Sequence, residues 1–147
     1  MKDLQYSIDI DAPVARVWDC MFDPIAYRDW TRAFCEGSYY EGSWAQGGRL
    51  RFLDPDSNGM EAIVEENRLH ERLSLRMVGS LTEGRPTPNS PPDHEPIYER
   101  YEFSAAPGGG THLAIRLQGW SEDLTGMWQD MWPKALQRLK ALAESTH

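Results

Sequence analysis

An acid stands where the strand pattern asks for an apolar side chain. In Ile97-Tyr98-Glu99-Arg100-Tyr101-Glu102-Phe103, alternation with period two puts Ile97, Glu99, Tyr101 and Phe103 on one face. A carboxyl group on an apolar face is costly unless it is hydrogen-bonded or paired, and burial raises its pKa. Glu99 is therefore a candidate polar anchor for a ligand, or a general acid/base working with Tyr98 or Tyr101. The alternative is a strand that begins at Arg100, or bulges there, and leaves Glu99 at a wet rim.

A second chemical signal is the run Met127-Trp128-Gln129-Asp130-Met131-Trp132, in which Met and Trp each recur at i, i+4. On a helix this gives adjacent stripes of polarisable and flat side chains, suited either to lining a ligand cavity or to ordinary core filling. Tyr27, Trp30 and Phe34 fall where a second short helix meets the first long run of strands. There they form a cavity mouth or staple helices to the core. Trp44 and Trp120 lie in or beside loops, where an indole caps a core end or marks an interface.

Other chemistries lack their residues. His70, His94, His112 and His147 show no metal-ligand spacing, so neither a metal nor another cofactor is expected. Cys20 and Cys35 form no CxxC and have no base beside them, which reads as small buried thiols rather than nucleophiles. There is no GxSxG, P-loop or dinucleotide fingerprint, and Gly108-Gly109-Gly110 leads into a strand, so it is a turn and not a phosphate cradle.

Composition narrows the class further. The chain has 147 residues, 40% of them hydrophobic, and a net charge of −8. It is too apolar for disorder, and of a length that fits one domain over residues 1–147. Net negative charge argues against nucleic acid, whose phosphates need clustered Lys and Arg. No run is long enough to span a membrane, and Met1-Lys2-Asp3-Leu4-Gln5 lacks a signal-peptide core, so a cytoplasmic protein without membrane insertion is expected.

The elements that must position these residues are legible from their periods. Leu4, Tyr6, Ile8 and Ile10 alternate as a half-buried strand. Pro13 and Asp23-Pro24 open two short helices, over 13–21 and through about Trp30. Turn residues then bound strands at 33–41, 48–54, 59–67, 71–79, 97–105 and 111–119. Their inward residues include Phe52, Met60, Val64, Leu75, Met77, Tyr101, Leu113 and Ile115. Short loops imply antiparallel pairing. Residues 80–96 hold five prolines and read as an irregular insertion and candidate lid. A helix from about Ser121 or Thr125 to Ala143, about 28 Å long, would cross the sheet, with Pro133 kinking it near Gln129 or starting it afresh. The fold class is thus α+β: a curved antiparallel sheet wrapped around a long C-terminal helix, with two short helices after the first strand.

This order resembles the helix-grip fold of the START-like (SRPBCC) superfamily, and within it the proteins similar to the activator of Hsp90 ATPase. The resemblance rests on Ile10-Asp11-Ala12-Pro13-Val14-Ala15-Arg16-Val17-Trp18, on Trp30, on Gly47-Gly48-Arg49-Leu50-Arg51-Phe52 and on Glu71-Arg72-Leu73. It continues through Gly110-Thr111-His112-Leu113 and Trp132-Pro133-Lys134-Ala135-Leu136-Gln137-Arg138-Leu139. It implies a cavity between helix and sheet for a small hydrophobic molecule, lipids included. The expected wall is Tyr27, Trp30, Phe52, Met60, Val64, Leu75, Met77, Glu99, Tyr101, Leu113, Ile115, Trp128, Met131 and Trp132. The leading reading is a carrier or sensor of a small hydrophobic or amphipathic ligand. The others are a polyketide-cyclase/dehydratase-like enzyme using the same cavity, and an Hsp90-co-chaperone-like interaction module. The outward face of the sheet is compatible with a homodimer.

Overall fold

In a computed structural model, residues 3–86, 97–119 and 122–145 are described. The alternating stretch at the start forms β1 (Leu4–Ile10). It is followed by α1 (Val14–Phe22), α2 (Pro24–Trp30) and a 3-10 turn at Thr31–Ala33. Then come β2 (Tyr39–Gly42), β3 (Arg49–Leu53), β4 (Gly59–Arg68), β5 (Arg72–Thr82), β6 (Arg85–Pro86), β7 (Ile97–Ala105) and β8 (Thr111–Gln118), before α3 (Glu122–Glu144). Strands pair antiparallel in the order β1-β8-β7-β5-β4-β3-β2, and the two-residue β6 pairs with the end of β5. This is the curved sheet and long terminal helix of a helix-grip fold.

Local chemistry explains the helix starts. Pro13 sits extended at the N-cap of α1, and its carbonyl accepts from the Arg16 and Val17 amides. Asp23 ends α1 and caps α2, its carboxylate accepting from the amides of Ile25 and Ala26 at 3.0 and 3.1 Å. Pro24 follows at the first helical position, where its missing N–H costs nothing. One face of α1 then buries Val17, Trp18, Met21 and Phe22 against the sheet.

The structure departs from the sequence reading at three places. Residues 33–38 are not strand: they finish a 3-10 turn and pass through Gly37 at φ 85°, leaving Cys35 exposed in a turn and β2 only four residues long. Residues 80–82, expected in the irregular segment, continue β5, because Leu81 is buried and pairs with Gly59. Residues 83–86, also expected to be irregular, turn through Gly84 and pair back on the end of β5 as the short β6, whereas 87–96 lie outside the described residues together with the lid expected there, as does Trp120. Finally, α3 runs unbroken through Pro133. That ring and Gln129 are both exposed, so water can take up the Gln129 carbonyl that loses its amide partner.

The buried core extends from α1 and β1 through β8, β7 and β5 to the C-terminal half of α3, where Ala135, Leu136, Leu139 and Ala143 are shut away from solvent. Arg16 ties the two layers of helix together. Its Nε donates to the Ala143 carbonyl at 3.0 Å and its Nη2 to the Leu142 carbonyl at 3.1 Å, satisfying acceptors that the last turn of α3 leaves open. Arg16→Ala is expected to cost about 1–3 kcal/mol, seen as a lower urea midpoint at unchanged slope. An unchanged midpoint would show that the clamp carries no stability.

Candidate functional site

Two successive short elements bring aromatic rings over one end of the sheet. Tyr27 and Trp30 are three residues apart on α2 and meet edge to face at 5.5 Å. The Trp30 indole N–H donates to the Met21 carbonyl at 3.2 Å, fixing the ring against the end of α1. Tyr40 on β2 donates its hydroxyl to the Phe22 carbonyl and packs edge-on to Tyr27 at 5.0 Å. Phe34, just past the 3-10 turn, contacts Trp132 of α3 at 4.9 Å. At the start of β4, a Cβ on Gly59 would sit 1.7 Å from the Phe52 carbonyl oxygen, so only glycine allows this approach to β3. That approach holds Phe52 and Met60 side by side as register partners.

Between these rings, the sheet and α3 lies a cavity of about 270 Å³. This is near the lower end of the ~300–1,000 Å³ typical of small-molecule sites. Of the side chains expected on its wall, Tyr27, Trp30, Phe52, Met60, Met77, Glu99, Tyr101 and Trp132 line it, and so does Phe34. Val64, Leu75, Leu113 and Ile115 are placed elsewhere, buried in the solid part of the core. Met131 is half-buried on α3 and is not on the wall, while the Trp128 side chain lies outside the described residues. Alternation identifies which face of a strand points inward, but not which end of that face the helix covers closely.

The wall also holds side chains that the sequence reading did not place there. Met21 and Phe22 come from the end of α1, Leu53 from the end of β3, and Asp54 and Asn58 from the turn joining β3 to β4. Trp44, expected to cap a core end, packs at a tilt against Phe22 at 4.6 Å and Phe52 at 5.8 Å and lines the cavity. The hydrophobic pattern of α1 marks Met21 and Phe22 as inward, whereas nothing local marks the β3–β4 turn.

Glu99 sits at register between Leu75 and Leu117 and accepts a short hydrogen bond from the Tyr101 hydroxyl at its Oε1. It is half-buried and lines the cavity. Burial disfavours its charged form and pushes its pKa up to about 7, against the smaller opposing effect of the Tyr101 hydrogen bond. Tyr27 and Tyr101 are both pushed up, first by burial and then by the nearby Glu99 charge, so their hydroxyls stay protonated. Trp132 is 3% exposed, and its buried indole N–H has no acceptor among the described residues. The site thus combines a mainly apolar wall with one carboxyl group that changes charge near neutrality. Among the described residues, no group of three or more His, Cys, Asp or Glu side chains is arranged to hold a metal ion. No described helix is long and apolar enough to cross a membrane.

The sequence matches the family model described as Activator of Hsp90 ATPase homolog 1-like protein over residues 11–144. No curated protein matches it significantly. Among solved structures, MLL2253 from Mesorhizobium loti superposes with a TM-score of 0.75 at 18% identity, covering 99% of each chain. CalU16 from Micromonospora echinospora gives 0.68 at 20% identity, over 97% of this chain and 76% of that one. The Aha1 protein from Colwellia psychrerythraea, solved as a dimer, gives 0.70 at 14% identity over the whole of both chains. At these identities the likeness establishes the fold.

The raised pKa of Glu99 has a thermodynamic signature. The folded chain keeps this proton up to about pH 7, whereas the unfolded chain releases it near the ordinary value of 4.5. Folded protein therefore binds more protons in that window, and stability contributed by Glu99 falls as pH rises through it. Glu99→Gln removes the loss. It is expected to gain on the wild type steadily from pH 4.5 and to lead by on the order of 2–3 kcal/mol at pH 8. Urea titrations at several pH values check this, and a difference that stays constant with pH would refute it.

Proposed function

We propose that this chain, which belongs to the Activator of Hsp90 ATPase homolog 1-like family, binds a small hydrophobic or amphipathic molecule between α3 and the sheet, as a carrier or sensor. The observation that carries this reading is the cavity itself, walled by rings from α2, β3 and α3 that leave it unfilled. Protein interiors are ordinarily packed to the density of organic crystals, and an apolar void forfeits dispersion contacts that a guest restores. In this reading residues 1–147 act as one domain in the cytoplasm.

A second reading, proton-transfer catalysis of the polyketide-cyclase/dehydratase kind, is favoured by the hydrogen-bonded Glu99–Tyr101 pair. A carboxyl group titrating near 7 is matched to general acid/base work at neutral pH. The two readings part on turnover. Catalysis would require that a bound substrate be converted, and that Glu99→Gln abolish conversion while leaving binding.

Binding is tested with the full chain by denaturing extraction and mass spectrometry for retained hydrophobic material, and by displacement of the dye ANS. Met60→Trp is expected to fill the cavity and lower dye affinity at least tenfold, at a stability cost of about 1–3 kcal/mol. A wild-type chain that retains no guest and admits neither dye nor small aromatic probes would end the proposal.

A further inference from the structure

The sign of charge on the cavity wall narrows the chemistry of its guest. Among the described residues no Lys, Arg or His side chain lines the cavity, and apart from tyrosines the described ionisable groups on its wall are the two acids Glu99 and Asp54. Their roles differ. Asp54 Oδ1 accepts from the amides of Asp56 and Asn58 at 2.9 and 3.0 Å and so shapes the β3–β4 turn. Glu99 takes the Tyr101 hydroxyl at Oε1, and its Oε2 accepts no hydrogen bond from a described residue. The rings of Tyr27, Trp30, Phe52 and Trp132 line the same cavity. Aromatic faces carry the negative lobe of the ring quadrupole, and a cation among them is attracted by the faces and the carboxylate together. An anionic amphiphile would meet the same wall with no positive charge to receive its head, beside an acid of its own sign.

We infer that the cavity takes a lipophilic organic cation, an amine whose ammonium meets Glu99 Oε2 and whose apolar body lies among the rings. This rests on the ligand-binding reading above and gives the guest its class. The binding is proton-linked, because Glu99 must ionise to receive the ammonium. Among the described residues the titratable groups sharing the wall are Tyr27 from α2, Tyr101 beside Glu99 on β7 and Asp54 from the β3–β4 turn, while Met77 from β5 and Trp132 from α3 bring no charge. Both tyrosines are held protonated, so Glu99 is the wall group whose charge changes near neutrality.

The test uses three probes with one skeleton: 4-phenylbutylamine, 4-phenylbutan-1-ol and 4-phenylbutyrate. Binding to the full chain is followed by tryptophan fluorescence and calorimetry between pH 5.5 and 8.5, where an alkylammonium, like a lysine side chain with its pKa of about 10, stays charged. The amine is expected to bind at least tenfold tighter than the alcohol at pH 8, with the acid weakest. The preference for the amine should shrink by up to tenfold per pH unit below about 7. Glu99→Gln, which leaves a hydrogen-bonding oxygen for Tyr101, should remove the preference for the amine over the alcohol at pH 8. Equal binding of amine and alcohol to the wild type, or tightest binding of the acid, overturns the cationic guest and leaves the cavity reading standing. No binding of any of the three, with no dye binding, overturns both.

Discussion

Along one helix the size of the inward side chain changes abruptly, and the cavity depends on that step. In the C-terminal half of α3, Ala135, Leu136, Leu139 and Ala143 are buried, and the helix packs on α1 and β1. One turn before Ala135 stands Trp132, whose indole meets Phe34, Trp30 and Tyr101 at centroid separations of 4.9, 6.3 and 6.5 Å. A 23-residue helix is a stiff rod of about 34 Å, so close seating at one end and a bicyclic wedge towards the other fix the height of the intervening space. Arg16 holds the seated end by donating to the last carbonyls of α3.

The sheet supplies the other half of the enclosure. Register shifts in β4, between Glu61 and Ala62 and between Val64 and Glu66, are irregularities of the kind that bend and twist a strand. They lie between the flat centre of the sheet and the β3–β2 edge, where Tyr40 is anchored to the end of α1 and packs on Tyr27 of α2. Curvature of the sheet, the short α2 and the wedge on α3 therefore act on one volume. Each element is unexceptional alone, and the void follows from their meeting.

Periodicity made most of this architecture readable. The alternation of Leu113, Ile115 and Leu117 with His112 and Arg116 is the burial pattern of β8, and Asp23-Pro24 marks where α2 begins. The reading failed where tertiary partners decide. Phe34 to Ser38 carry enough apolar character for a strand, but Gly37 at positive φ turns the chain, and the ring of Phe34 is used on α3 instead. Leu81 joins β5 because Gly59 across the ladder lets the strands run on. The same limit governs the site. Val64 and Met60 lie on one strand with inward side chains, yet Met60 faces the cavity and Val64 is packed solid. No local pattern distinguishes them, since the difference lies in which end of the strand borders the cavity. Trp44 illustrates the converse, a loop indole brought to the wall by Phe22 and Phe52, far from it in sequence.

Glu99 was legible as an anomaly before any coordinates, because an acid interrupts an otherwise apolar face. In a core made only for stability such a residue is replaced easily, since glutamine has nearly the same shape and carries no charge to desolvate. Here it is kept beside Leu75 and Leu117, its proton affinity raised by burial, with one oxygen engaged by Tyr101 and the other not engaged by any described residue. Natural sequences that break a local rule tend to do so where function requires it. The rule is broken here on the wall of a cavity, whereas in the packed half of the molecule the described inward strand positions are apolar apart from Thr111, whose hydroxyl donates to the Ala12 carbonyl. Cost and void therefore coincide in space, as they do when a polar group is reserved for something other than the protein itself.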